Sequence, residues 1–366
     1  MDGTLTRILA VAAATLAMTA TADAEQLRYS TFEPPNSSST IEMERYFADI
    51  AEASGGSLTA RIFPGGQLLG GPGTLKGVGD GVADGGFVPA SFNQGELRNT
   101  NVVADMAFYV RDAFVAALAS ADTTLTDCPA CLDEYATAKV VWLAGFAGDP
   151  WYLMCRDPIA TTADLRGRKV RVQGGSPTRY VESFGGVAVQ LRSTEIEPGL
   201  RAGQIDCAFA SLSWMEDYQL YGTIGAVVDY PVGVFSGVGS YVFNSARFES
   251  LSEEHRKILV DAIPNSIVRG TQGYLDRVKV VREKAAQQNV SFWQPDEQFI
   301  TLLETFRTDD MPRLIEDMKN RGATDPEKMI QTHLANIEKW RERVEAANGD
   351  LSGLLGTIAD EIYGNR

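Results

Sequence analysis

One arginine inside an apolar strand has the clearest chemical potential in this sequence. Arg171 lies in the run KVRV at residues 169–172, and a glycine-rich turn follows it. An unpaired charge is costly in a protein interior, so this guanidinium requires a partner. Its planar group can bind a carboxylate through two parallel hydrogen bonds. The pattern alone leaves three partners open, which are an anionic ligand, an internal Asp or Glu, and solvent reached by snorkelling.

Alternating strands and helices surround this arginine and must position it. Residues 27–88 show a strand–helix–strand rhythm, and residues 151–211 repeat it. Such series indicate mainly parallel α/β lobes. The sequence from residue 251 is almost wholly helical in pattern, and long helices are predicted at 261–288, 296–321 and 325–348. The sequence therefore predicts two α/β lobes clasped by a helical region.

Size and charge restrict the class of protein and its partners. The chain has 366 residues, of which 44% are hydrophobic and 22% charged, as is ordinary for a globular protein with one or two domains. The formal net charge of −15 argues against nucleic acid and anionic membrane surfaces as partners. A small anion stays possible, because a local positive site can exist in an acidic protein.

The first 24 residues have the pattern of a cleavable secretory signal. Arg7 supplies a positive start, residues 8–20 are apolar and small, and Ala22-Asp23-Ala24 fits a cleavage site. A membrane anchor is the alternative, but the apolar run is short for a span. The sequence thus predicts a signal peptide at 1–24 and a periplasmic mature chain that does not insert into the membrane.

Four cysteines remain in the mature chain, and an even number in an exported protein favours disulfides. Cys128 and Cys131 form a C-x-x-C motif, for which a structural short-loop disulfide is predicted. Cys155 and Cys207 would then pair with each other. The alternative function is an exported thiol-disulfide oxidoreductase using Cys128 and Cys131. The surrounding sequence TTLTDCPACLDEY, however, lacks the preceding strand of a thioredoxin-like unit.

The sequence shows no set of residues typical of catalysis or metal binding. It contains two histidines, and no Ser/His/Asp set, paired-acid motif or metal constellation is evident. The glycine-rich loop at 64–73 matches neither the phosphate-binding nor the dinucleotide-binding spacing. We therefore expect a binding protein rather than an enzyme, with no cofactor and no metal.

Several separate motifs together resemble one known family. They are LRYSTFEPP, SGGSLTARIFPGGQLLGG, GVGDGVADGGFV and DLRGRKVRVQG…FGGVAVQ…TEIEPGLRAGQIDCA. In this order they resemble the DctP family, the periplasmic solute receptors of TRAP transporters. The resemblance extends from about residue 27 to the C-terminal helices. The four cysteines resemble one branch of that family.

The resemblance implies a two-lobed periplasmic binding protein fold with an interlobe cleft and long lobe-spanning C-terminal helices. Lobe I would comprise residues 25–148 with a return segment at about 237–280. Lobe II would comprise 149–236 with the C-terminal helices at about 281–366. A small organic acid would bind between the lobes and be delivered to TRAP membrane permease subunits. The same fold could serve a sensor kinase or an ABC importer, and only the resemblance favours the TRAP system.

The resemblance also implies that Arg171 pairs with the ligand carboxylate. Other positions depart from sialic-acid receptors of the family, since Trp151 replaces a second arginine, Ala210 an asparagine and Ser193 a phenylalanine. These departures suggest a pocket with fewer charges and more aromatic surface. Core packing is the alternative role for Trp151, Tyr152 and Trp214. The ligand-binding candidates are Arg171, Trp151, Tyr152, Ser193, Ala210, Trp214, Phe32, Glu33 and Ser91.

Overall fold

The computed structural model describes residues 24–159 and 161–364. The predicted signal segment therefore lies, apart from Ala24, outside the described residues. Eleven strands form within the described ranges. They are β1 Glu25–Ser30, β2 Leu58–Phe63, β3 Gly85–Pro89, β4 Val140–Ala144, β5 Trp151–Cys155, β6 Lys169–Val172, β7 Val187–Gln190, β8 Cys207–Ser211, β9 Ala226–Val228, β10 Val238–Asn244 and β11 Ser291–Trp293.

The same ranges contain fifteen α-helices. Several begin with a side-chain cap, as at Ser37, whose hydroxyl accepts a hydrogen bond from the amide of Thr40. The helices are α1 Ser38–Ala53, α2 Gly71–Gly79, α3 Thr100–Ala104, α4 Ala113–Asp122, α5 Pro129–Thr137, α6 Gly175–Ser183, α7 Ile196–Arg201, α8 Trp214–Asp217, α9 Ser245–Ser250, α10 Glu253–Asp261, α11 Ile263–Ala285, α12 Glu297–Asp309, α13 Met311–Asn320, α14 Pro326–Ala347 and α15 Leu354–Ile358.

The strands form two separate sheets. The first has the order β2-β1-β3-β10-β4, with β1 parallel to β2 and β3 and with β10 antiparallel to both of its neighbours. The second has the order β11-β9-β5-β8-β6-β7, with β6 parallel to β7 and β8 and with β5 antiparallel to β8 and β9. Each sheet has its own hydrophobic core, so the predicted two-lobed α/β fold is confirmed.

The chain connects the two sheets at a narrow crossing region. Residues 145–150 lead from β4 to β5, and residues 229–237 lead back from β9 to β10. Helix α11 packs against α1 and α4 of the first lobe and against α8 of the second. Gly270 allows this close packing, because a Cβ atom there would approach Glu42 and Phe146 within 3.0 Å. The first lobe is therefore completed only after the second has been traversed.

The C-terminal helices divide between the lobes. Helix α12 packs against α6 in the second lobe, whereas α14 packs against α3 and α4 in the first. Trp340 of α14 is fully buried in the core of the first lobe. The expected grouping of residues 281–366 with lobe II therefore differs from the packing of α14 and α15. Helical periodicity shows that one face is buried, but not which lobe buries it.

The helix predicted over 296–321 is in fact two helices. Helix α12 ends at Asp309 and α13 begins at Met311, with Pro312 in its first turn. Proline lacks the amide proton needed inside a helix, so it favours a new helix start.

The two disulfides predicted from the sequence are confirmed. Cys128 is bonded to Cys131 at the start of α5, and Cys155 is bonded to Cys207 across the paired strands β5 and β8. Each disulfide lies within one lobe. No helix of the described ranges is long and apolar enough to cross a membrane.

Candidate ligand-binding cleft

A partly open cavity of about 50 Å³ lies between the lobes. Eight of its fourteen lining residues are aromatic, so most of its wall is apolar and rigid. Glu33, Gln173, Ser193 and Ser211 supply the polar side chains. The aromatic residues are Phe32, Phe87, Phe92, Phe146, Trp151, Trp214, Phe235 and Tyr274, and Pro89 and Gly148 complete the lining.

The crossing region builds one wall of the cavity. Phe146 and Gly148 belong to the first connecting segment, Phe235 belongs to the second, and Tyr274 lies on α11. Trp151, the first residue of β5, stacks on Phe235 with 5.6 Å between ring centroids and 4° between planes. Because these residues lie where the lobes join, a ligand in the cavity contacts both lobes at once.

Arg171 lies beside the cavity and is fully buried. Its Nε donates to the carbonyl of Leu191 at 2.8 Å and its Nη1 to the carbonyl of Phe209 at 3.0 Å. Its Nη2 donates to Gln173 Oε1 at 2.7 Å. All three acceptors are neutral, and within the described residues no Asp or Glu forms an ion pair with the guanidinium. Burial lowers the pKa of Arg171 to about 10, while Tyr218 and Glu195 raise it in part.

Two residues of the cavity lining contact this guanidinium. The Trp214 ring centroid lies 5.6 Å from Arg171 Cζ, within the range of a cation–π contact. Gln173 accepts from Arg171 and donates through Nε2 to Ser91 Oγ of the first lobe at 2.5 Å. Arg171 itself does not line the cavity. Gln173 therefore connects the buried cation both to the cavity and to the opposite lobe.

Glu33 is a buried carboxyl group on the lobe I side of the cavity. The Tyr218 hydroxyl from lobe II lies 2.6 Å from its Oε2 and 3.0 Å from Ser193 Oγ. Burial raises the pKa of Glu33 to about 8. The hydrogen bond with Tyr218 lowers this pKa in part, and the charge of Asp217 raises it. At neutral pH the Glu33 carboxyl is therefore mostly protonated.

Asp149 fixes the loop that carries Trp214. Its Oδ2 accepts hydrogen bonds from the amides of Leu212 at 2.7 Å and Ser213 at 3.3 Å, and its Oδ1 accepts from the Ser213 hydroxyl at 2.5 Å. Burial raises the pKa of Asp149 to about 7, which these hydrogen bonds partly oppose. The side chain thus ties the first crossing segment to the end of β8.

Most of the predicted ligand-binding residues are brought together. Phe32, Glu33, Trp151, Ser193 and Trp214 line the cavity. Arg171 and Ser91 lie just outside it, and each is hydrogen-bonded to the lining residue Gln173.

Tyr152 and Ala210 do not line the cavity, so their predicted placement there is wrong. They pair across β5 and β8 and pack in an apolar cluster with Met154. Successive residues of a strand point to opposite faces. Trp151 and its partner Ser211 therefore face the cavity, whereas Tyr152 and Ala210 face away from it.

Several residues that line the cavity were not predicted from the sequence. Gln173 lies two positions after Arg171, a spacing that puts both on one face of an extended chain. That alternation could have identified it. Phe146 and Phe235 belong to connecting segments without a regular pattern, and no sequence signal marks them as neighbours.

The remaining candidate chemistries receive little support from the described residues. No group of three or more His, Cys, Asp and Glu residues within residues 24–159 and 161–364 could hold a metal ion. The Cys128–Cys131 disulfide is buried, and it packs in an apolar cluster with Leu314 and Met318. An exposed sulfur is required for thiol exchange.

Comparison with known proteins identifies the family. A sequence model of the DctP family, bacterial extracellular solute-binding protein family 7, matches residues 29–306. This chain belongs to that family. The outer membrane transporter protein TsaT of Comamonas testosteroni is 28% identical to this solute-binding protein over 198 residues. The match covers 52% of this chain and 57% of TsaT, so less than two thirds of that relative is spanned.

Solved structures with the same fold include several TRAP solute-binding proteins. One from a marine metagenome, specific for aromatic acid ligands and crystallised with 3-hydroxybenzoate, superimposes with a TM-score of 0.78 at 21% identity, covering 87% of this chain and 99% of that one. Another from Rhodoferax ferrireducens, with copurified benzoate, gives a TM-score of 0.75 at 21% identity, with 87% and 99% covered. The shared fold places the interlobe cavity of this DctP-family chain in a solute-binding architecture.

Proposed function

We propose that this protein is the periplasmic receptor of a TRAP transporter, which binds a small organic acid between its lobes and delivers it to the membrane permease subunits. The observation that carries this proposal is the buried Arg171 guanidinium, which has only neutral hydrogen-bond acceptors among the described residues. A buried charge of this kind is expensive until an anion balances it. Membership of the DctP family supports the same function.

The hydrogen bonds of Arg171 leave donors for a carboxylate. A guanidinium has five N–H groups, and the three bonds use one each from Nε, Nη1 and Nη2. One N–H on each Nη atom therefore remains for an end-on pair with two carboxylate oxygens. An incoming carboxylate meets Gln173 first, because Gln173 lines the cavity and Arg171 does not. We infer that the Gln173 side chain shifts enough for the carboxylate to reach these two remaining N–H groups.

The body of the ligand is best matched by an aromatic ring. Eight aromatic residues line the cavity, and none of its described lining residues is cationic. Flat aromatic walls bury an aromatic ligand through stacked and edge-on contacts. A second carboxylate would have to enter this wall unpaired, which is costly. Structures with the same fold hold 3-hydroxybenzoate and benzoate, which is consistent with an aromatic monocarboxylate here.

Closure of the lobes follows from contacts made across the cleft. Gln173 donates to Ser91, Tyr218 contacts Glu33, and Asp217 accepts from the amide of Ser38 at 3.3 Å. A ligand that touches both lobes has a higher affinity for the closed state, and this difference shifts the population toward closure. We infer that the permease recognises the closed form. Export through the signal at residues 1–24 would place the receptor in the periplasm.

A ligand panel tests the proposed function. Ligand-free protein is screened by thermal shift with benzoate, phenylacetate, mandelate, succinate and malate, and hits are measured by calorimetry at fixed salt. An aromatic monocarboxylate should raise the melting temperature, because a ligand bound only to the native state stabilises it. Dicarboxylates that bind tenfold tighter would refute the aromatic ligand but leave the receptor assignment intact. Failure of every organic acid to bind would contradict the receptor assignment itself.

The alternative functions are less well supported. A thiol oxidoreductase would need an accessible sulfur, whereas Cys128 and Cys131 are both buried. An ABC importer or a sensor kinase would use the same cleft, so the choice of the TRAP permease rests on the family. Family membership likewise supports the interpretation that this protein is a receptor rather than an enzyme.

A further inference from the structure

Glu33 differs chemically from the rest of the cavity wall. Among the described lining residues it is the one with an acidic side chain, and only 6% of its surface is exposed. Its backbone is held on both sides, because its amide donates to Thr31 Oγ1 at 3.1 Å and its carbonyl accepts from Gly65 at 2.7 Å. The carboxyl group is therefore presented to the cavity from a fixed position.

The carboxyl group has one protein partner in the described structure. Its Oε2 lies 2.6 Å from the Tyr218 hydroxyl, which also contacts Ser193. Within the described residues Oε1 has no hydrogen-bond partner, and no Lys or Arg forms an ion pair with Glu33. One oxygen of a buried carboxyl in the cavity wall is thus available to a ligand.

The groups around Glu33 disfavour its negative charge. At the C-terminal end of α8, Asp217 is a second carboxyl, and Tyr218, the residue after the helix, is a neutral phenol. On α11, Tyr274 lines the same cavity, and Arg277 is paired with Asp217 at 3.5 Å rather than with Glu33. Burial is the largest cause of the raised pKa of Glu33, about 8, and it acts in the same direction. The carboxyl is therefore a neutral hydrogen-bonding group at pH 7.

We propose that Glu33 recognises a neutral hydroxyl group on the ligand, so that the receptor prefers hydroxylated aromatic monocarboxylates to their unsubstituted and doubly carboxylated analogues. This inference rests on the proposed function, since Arg171 must bind the carboxylate of the same ligand. A protonated carboxyl has one O–H donor and one carbonyl acceptor, which together match a hydroxyl group. Because the Tyr218 hydroxyl donates to Oε2, the proton of the neutral carboxyl lies on Oε1, which donates it to the oxygen of the ligand hydroxyl.

The preference for a hydroxylated ligand follows from the free-energy cost of burying a polar group without a hydrogen-bond partner. An unsubstituted ring leaves Glu33 Oε1 facing an apolar ligand without a hydrogen bond, and burying a polar group in that way is unfavourable. A second carboxylate would lie against an aromatic wall whose described lining residues include no cation, which is unfavourable. Ionised Glu33 would also repel the ligand carboxylate. Affinity should therefore fall as the pH rises through the pKa of Glu33, because the protonated form is the binding-competent one.

Calorimetry with paired ligands tests this inference. Benzoate is compared with its three hydroxybenzoate isomers, and phenylacetate with mandelate, at pH 6.5 and pH 8.5. The best hydroxylated ligand should bind about tenfold more tightly than its parent at pH 6.5, a difference of about 1.4 kcal/mol. Affinity of the wild type should fall by roughly threefold or more at pH 8.5, since a group with a pKa near 8 is then mostly ionised.

Two variants of Glu33 separate recognition from packing. Glu33→Gln keeps the shape and a neutral hydrogen-bonding group, so it should retain the hydroxyl preference and lose the pH dependence. Glu33→Leu should lose the preference while it still binds the unsubstituted acids. The matched control is Glu197→Gln on α7, where the side chain pairs with Arg201 at the surface and both measurements should be unchanged.

The outcomes distinguish this inference from the proposed function. Equal affinity for hydroxylated and unsubstituted acids in the wild type overturns the role of Glu33 but not the receptor function. The same conclusion follows if Glu33→Leu keeps the preference, or if Glu33→Gln keeps the wild-type pH dependence. Failure of all the acids to bind overturns both. The pH profile of the wild type applies even if Glu33→Leu does not fold.

Discussion

Replacement of Arg171 by lysine is the most direct test of the anion site. Lysine keeps the positive charge but replaces the planar five-donor group by a single ammonium. In the wild type, three N–H groups of Arg171 hold Leu191, Phe209 and Gln173, and two remain for the ligand. One ammonium cannot hold these acceptors and both carboxylate oxygens. Arg171→Lys should therefore lose at least one charged hydrogen bond to the ligand.

The size of the effect follows from that loss. Truncating one member of a buried charged pair costs about 2–5 kcal/mol, and a lysine that retains the charge should fall near 2–3 kcal/mol. The dissociation constant should then rise roughly 30- to 150-fold. The ligand-free protein should also melt at a lower temperature, because a buried carbonyl of Leu191 or Phe209 loses its donor.

Calorimetry on the wild type, Arg171→Lys and a matched control measures this difference. The control is Arg168→Lys, three residues earlier, where the side chain is 31% exposed and pairs with Asp157 at 3.6 Å. Its affinity should stay within about twofold, because a surface ion pair contributes little. Unchanged affinity in Arg171→Lys would mean that Arg171 has only a structural role, and the carboxylate assignment would then fail.

Three further predictions concern the wall of the cleft, the disulfides and acid–base stability. Trp151→Ala should weaken binding of an aromatic acid at least tenfold, whereas Tyr152→Phe should change it less than about twofold in the same calorimetric assay. Thiol titration of denatured, unreduced protein should find no free thiols, and two reactive thiols would contradict the disulfide pairs. The contribution of Asp149 to thermal stability should fall as the pH rises from 3.8 to about 7, because folded Asp149 retains a proton that the unfolded chain releases in this window. Asp149→Asn should reduce that slope, and an unchanged slope would exclude Asp149 as a source of it.

The sequence predicted the fold and marked the arginine that lies beside the cleft, because both depend on local patterns. An arginine within KVRV is visible as a charge in an apolar strand. The structure confirms its burial and the absence, among the described residues, of an acidic partner. The two disulfide bonds could also be predicted from the sequence, since four cysteines in a chain expected to be exported leave few possible pairings.

The other residues of the cavity wall are positioned by contacts between distant parts of the chain, which local sequence patterns do not encode. Tyr152 was expected in the cleft because it follows Trp151, but the register of β5 with β8 decides which of the two faces inward. Phe146 and Phe235 are 89 residues apart in sequence, and both line the cavity only because the chain returns from the second lobe to the first. Likewise, amphipathic patterns identified α14 as a helix without revealing its partner α4.

The crossing topology has a consequence for how this protein can be assembled as it is synthesised. The core of the first lobe contains Leu27 from β1 and also Trp340 from α14 and Tyr363 near the last described helix. The second lobe's core, in contrast, includes Phe108 and ends with Phe306. A chain emerging from its N-terminus can therefore complete the second lobe before the first. The first lobe therefore cannot fold completely before the second lobe has been synthesised. The long sequence separation of its contacts also favours slow folding. The first strands of the chain therefore become part of a complete core only when the C-terminal helices have packed against that lobe.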